Sequence, residues 1–132
     1  MPKRPIPPSD FELQILQVLW DRRAATVREV MESLTDGKQR AYTSVLSVMQ
    51  VMQKKGLLSA EKPSEGLAYR YKPRFSKKQV LGPLVQGIVK KVFGGSPRTA
   101  VQQILEIEHV SREEIRELRQ LLDELELRRK RK

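Results

Sequence analysis

Cysteine is absent from the 132 residues, which excludes a disulfide scaffold, a thiolate metal site and a cysteine nucleophile. Histidine occurs once, as His109 close to Glu106 and Glu108. A lone histidine among acidic residues reads as a surface side chain, so neither a metal nor any other cofactor is expected. Apolar runs are short, none near the ~20 residues that a membrane span requires, so no membrane partner is expected. Also missing are a Ser/His/Asp or Cys/His set, a phosphate-cradling glycine loop and a carboxylate cluster with metal spacing. Glu113 and Glu114 fall on a capping turn, where carboxylates favour a helix N-terminus for structural reasons. The composition therefore points to a non-enzyme of one or two small domains.

Lys and Arg are abundant, 26 against 16 Asp and Glu, for a net charge of +10. Placement matters more than size. Residues 1–75 hold thirteen Lys/Arg against eight Asp/Glu, residues 76–127 hold eight of each, and Arg128-Arg129-Lys130-Arg131-Lys132 is wholly basic. Excess positive charge in the first half and in a basic tail, 128–132, suits a polyanion partner such as double-stranded DNA. Residues 1–8, MPKRPIPP, carry charge with no apolar stretch behind it, which reads as a flexible N-terminal arm rather than a signal peptide and implies the cytoplasm.

The most informative segment is Arg40 to Leu58. Helical spacing gathers Val45, Val48, Met49 and Met52 on one buried stripe and leaves Thr43, Ser44, Ser47, Gln50 and Lys54 on the opposite face. Such short or flexible hydrogen-bonding side chains can meet base edges or phosphates in a DNA groove. Lys54 and Lys55 fall in the last turn, where cations suit the helix dipole, and Gly56 offers a left-handed stop.

Neighbouring segments supply the context. Ser9-Asp10-Phe11-Glu12 and Thr26-Val27-Arg28-Glu29 are capping boxes that open two further amphipathic helices, the second expected to end at Asp36-Gly37. Downstream, Leu57–Glu61 and Leu67–Lys72 read as strands around the turn Lys62-Pro63-Ser64-Glu65-Gly66. Alternation places Leu67, Tyr69 and Tyr71 on one face and Arg70 and Lys72 on the other. Three short helices and a basic hairpin match a winged helix-turn-helix over residues 9–75.

Residues 76–127 read as three helices opened by Ser76-Lys77-Lys78-Gln79, by Ser96-Pro97 and by Ser111-Arg112-Glu113-Glu114. They carry more apolar surface than about 55 residues can bury among themselves, which predicts a dimerisation domain built around Leu84, Ile88, Ile115, Leu118, Leu122 and Leu125. The competing expectation is that these helices fold back on the winged half as one monomer. The fold class expected is mainly α with a small β-hairpin wing, an N-terminal winged helix-turn-helix followed by a C-terminal helical dimerisation domain.

Four stretches, Ala41–Met49, Lys54–Leu58, Tyr69–Pro73 and Phe93–Pro97, resemble the BlaI/MecI penicillinase-repressor family. The resemblance runs from about Ser9 to Leu125. It implies a homodimeric, sequence-specific transcriptional repressor on a palindromic operator, with Tyr42, Thr43, Ser44 and Ser47 reading bases. Arg40, Lys54 and the wing's Arg70 would meet the DNA backbone, with Lys55 as a further backbone contact. An inactivating protease is another partner implied for antibiotic-responsive members, although Gln103-Ile104 stands where they carry an Asn-Phe cleavage site. Copper-responsive relatives use a Cys-x-Cys cluster that this chain cannot provide. From another function class, the alternative is an interaction adaptor that uses the winged fold as a scaffold and does not read DNA.

Overall fold

The structure, a computed structural model, describes residues 4–34 and 37–131. The chain divides into two compact units, residues 1–86 and 87–132. Helices α1 (Asp10–Arg22), α2 (Val27–Ser33) and α3 (Tyr42–Lys54) lead into strands β1 (Leu58–Glu61) and β2 (Arg70–Pro73). Helices α4 (Lys77–Val92), α5 (Pro97–Ile107) and α6 (Arg112–Lys130) follow.

Local chemistry sets the helix starts. Ser9 and Thr26 each accept from the backbone N–H three residues on, and Glu12 and Glu29 each accept the N-cap N–H in return. Ser76 and Gln79 make the same reciprocal pair at α4. Each closed box satisfies N–H groups that would otherwise face solvent unpaired. Helix α2 stops at Ser33 with Leu34 extended beyond it, so it is shorter than Asp36-Gly37 implies; Asp36 itself lies outside the described residues. Gly56 takes φ 83° directly after α3, a left-handed stop that a Cβ would strain.

The core of the first unit is where the apolar stripes meet. Ile15, Leu16 and Leu19 from α1 join Val27 and Val30 from α2, Val45, Met49 and Met52 from α3, and Leu57 and Leu58. β1 and β2 pair antiparallel with Ser59 opposite Lys72 and Glu61 opposite Arg70. The ladder is shorter than the alternating pattern implies, because only Tyr71 finds a core to enter. Leu67 and Tyr69, 65% and 50% exposed, lie before the strand and stay in water. A bridge absent from the local pattern ties this wing down: Ala25 donates to the Tyr71 carbonyl at 3.1 Å and accepts from its N–H at 2.8 Å. The Trp20 indole N–H donates to the Phe75 carbonyl at 3.0 Å, anchoring the chain where it leaves the hairpin.

Val80 is buried in this same core and Leu84 packs against it. Leu84, half-buried, therefore rests in part on the winged unit. The second unit is different in kind. Ala100 is its single buried residue among those described, and α6 buries none. Of the basic run, Arg128, Arg129 and Lys130 complete the last turn of α6, where their charge suits the dipole; Lys132 lies outside the described residues.

One buried charge shapes the first unit. Glu12 is 4% exposed, and its two carboxylate oxygens each lie 3.0 Å from Lys55 Nζ. Burial alone would raise its pKa, but the Ser9 N–H and the Lys55 ammonium outweigh that and hold the carboxyl below the usual 4.5. A depressed carboxylate contributes stability that is complete above the unfolded value and lost as pH falls through the folded one. Glu12→Gln should therefore lower the melting temperature at neutral pH, by roughly 1–3 kcal/mol of stability. The gap from the parent protein should narrow on acidification below about pH 4.5. Thermal melts followed by Trp20 fluorescence check this; a gap that stays constant with pH would mean the pair is not held as described.

Candidate nucleic-acid interface

Helix α3 buries one face and frees the other. Val45, Met49 and Met52 are fully buried, whereas Thr43, Ser44, Ser47, Gln50 and Lys54 are all exposed. The exposed set follows from the sequence order, because 3.6 residues per turn rotates 43, 47, 50 and 54 onto the side opposite the core. Among the described residues of the first unit, none lies over these side chains. Ala41 precedes the helix and offers no capping oxygen, in contrast to Ser9, Thr26, Ser76, Ser96 and Ser111 at the other helix starts.

Tyr42 opens α3 at 41% exposure, and the Arg28 guanidinium lies 5.7 Å from its ring centroid. Across the face, the Arg40 guanidinium stacks 4.1 Å over Phe11. Both arginines thus hold their planar heads against aromatic faces at the margin of α3, a contact that restricts rotamers without consuming charge. Arg28 carries no signal in the local pattern, since it sits inside a capping box where only the first and fourth positions are diagnostic.

The wing's Arg70 is half-exposed and already shared. It donates to the Ala24 carbonyl at 3.2 Å and lies 3.5 Å from Glu29, which also pairs with Arg22 at 3.2 Å. Glu29 is held below the usual carboxylate range chiefly by the Thr26 N–H, with Arg70 and Arg22 adding to it. Lys72 pairs with Glu61 across the hairpin. Lys55 is already engaged: its ammonium neutralises the buried Glu12, and leaving that pair for a phosphate would strand a buried charge. Lys54, next to it, is exposed in the last turn of α3.

A cleft of about 530 Å³ runs between α3 and the wing, with Tyr42, Gln50 and Gln53 on one wall and Tyr69 on the other. Among the described residues no group of three or more His, Cys, Asp or Glu is placed to hold a metal, and no helix is long and apolar enough to cross a membrane. The arrangement is thus a polar helix face, flanked by cations, with a hairpin beside it.

The family model described as "Penicillinase repressor" matches residues 8–124. The chain belongs to the penicillinase repressor family. Its relatives include the "Transcriptional regulator BlaI" of Mycobacterium tuberculosis, 33% identical over 119 residues that cover 89% of this chain and 83% of that protein. The "Penicillinase repressor" of Bacillus licheniformis is 27% identical over 92% of this chain and 94% of its own length. The "Methicillin resistance regulatory protein MecI" of Staphylococcus aureus is 21% identical over 87% of this chain and 92% of its own. Among solved structures, the DNA-binding domain of the repressor BlaI aligns with a TM-score of 0.49 at 26% identity, covering 60% of this chain and 93% of that one.

In this penicillinase-repressor chain the exposure of Ile88, Ile115, Leu122 and Leu125 is 53%, 37%, 64% and 45%. Leu118 is half-buried. The apolar residues expected at a dimer interface, Leu84 apart, are thus on the second unit and largely or partly open to solvent.

Proposed function

We propose that this member of the penicillinase repressor family represses transcription by binding an inverted-repeat operator in double-stranded DNA as a homodimer. Helix α3 enters the major groove, with Thr43, Ser44 and Ser47 reading base edges and Tyr42 at the groove's rim. Arg40, Lys54 and Arg70 meet phosphates. Lys55 is left out of this set because Glu12 holds it. The observation that carries the reading is the uncovered polar face of α3, seated on a fully buried apolar one.

Homodimerisation is supported by the second unit, whose α5 and α6 leave Ile104, Ile107, Leu121 and Leu122 more than half exposed. Exposed apolar side chains in that number favour a partner, and a second copy of the chain would double the DNA contacts with two-fold symmetry. A transcriptional repressor works in the cytoplasm, where the bacterial chromosome is reached directly. Release by an inactivating protease would act on this unit, where Gln103 and Ile104 are exposed within α5.

Phosphate engagement is tested by fluorescence anisotropy on duplex DNA across a salt series. Affinity should fall steeply with salt, and Lys54→Ala should weaken specific and random duplexes alike while reducing the log–log slope by about two units, one for each copy in the dimer. Binding that ignores salt, or an absence of binding, would favour the adaptor reading instead.

A further inference from the structure

The uncovered face of α3 is polar except at one place. Val51 is 45% exposed among Ser44, Ser47 and Lys54, and it shares their side of the helix at spacings of seven, four and three residues. A β-branched residue gains nothing there from local structure, since valine is a poorer helix former than alanine or the straight-chain residues. Nor does Val51 stand alone, for a shallow hollow of about 370 Å³ beside Ser47 is lined by Phe11, Val48 and Val51. The side chain has no donor or acceptor to offer a phosphate or a base edge. What it offers a duplex is a pair of methyl groups.

We propose that Val51 is a specificity-determining residue that recognises thymine through its C5-methyl group. In the major groove that methyl is the one apolar feature on the base edges, and apolar side chains make their base contacts there. The inference rests on the entry of α3 into the groove put forward above. Helical rise of about 1.5 Å per residue sets Val51 about 6 Å beyond Ser47 along the axis. Side chains one turn apart on a helix lying along the major groove meet successive base pairs. The thymine therefore lies about one base pair from the pair that Ser47 meets, once in each half of the operator.

The test begins with duplexes selected from a random pool by the full-length protein. In the recovered sequence each thymine is replaced in turn by deoxyuridine, which removes the C5-methyl and keeps every hydrogen-bonding group. For the parent protein, one thymine per half-site should cost about fourfold in affinity when replaced, the burial of about one methyl group. Val51→Ala should bind the thymine duplex more weakly and be indifferent to that replacement, whereas Val51→Ile should remain sensitive. Alanine at this exposed helical position is the better helix former, so loss of folding would not mimic the result. If no thymine matters, or if Val51→Ala loses as much as the parent protein on the uracil duplex, Val51 does not read the methyl. Failure of the parent reading looks different: selection would return no common sequence at all, and the inference would fall with it.

Discussion

Leu122→Asp should convert a two-chain species into a single chain in analytical ultracentrifugation and reduce operator affinity by about 100-fold or more. Leu122 is 64% exposed in one copy, so a carboxylate there meets water and should leave the fold of that copy within about 0.5 kcal/mol of its original stability. In the proposed dimer the same carboxylate would be buried without a partner, at a cost of several kcal/mol. Once the copies separate, the second half-site contact is no longer intramolecular, and avidity of about 10²–10⁴ is lost. Leu118→Asp is a poorer probe because Leu118 is half-buried within its own unit. A Leu122→Asp protein that still sediments as two chains and binds its operator unchanged would place the interface elsewhere.

The second large effect concerns the anchored side of α3. Met49 is fully buried in the core of the first unit, so Met49→Ala removes apolar contact and leaves a cavity. Substitutions of this type cost about 2–5 kcal/mol. That is a large share of the 5–15 kcal/mol total typical of a domain. The expected fall in melting temperature is roughly 10 °C or more. Trp20, the one tryptophan, reports it, because its indole is tied to Phe75 in the same unit. A drop of only one or two degrees would mean that the inner face of α3 is not packed as described.

Much of this architecture is legible in the sequence because it is encoded over short distances. The boxes at Ser9, Thr26 and Ser76 each span four residues, and the split between Met49 inside and Ser47 outside needs only the helical period. What the pattern does not reveal is pairing across long separations. Ala25 bridges Tyr71, Glu12 takes Lys55 and Trp20 reaches Phe75 across 46, 43 and 55 residues, and no local periodicity encodes such partners. Alternation likewise marks Leu67 and Tyr69 as apolar-facing without saying that the core ends at Tyr71. Leu84 illustrates the same limit at the domain level: its spacing with Ile88 is correct for one helical stripe, yet α4 belongs to the winged unit at one end and to the second unit at the other. Lys54 and Lys55 are adjacent and chemically identical, and only the position of Glu12 separates their roles.

The central claim is that the free face of α3 reads base edges, and paired titrations of Ser47→Ala against the selected operator and a random duplex test it most directly. Ser47 is exposed, so its loss should change the thermal melt by little. Operator affinity should fall by a factor of about 25 or more, the loss of one base contact in each of the two half-sites, with random-duplex affinity unaltered. Equal losses on both duplexes, or none on either, would contradict base reading by this helix.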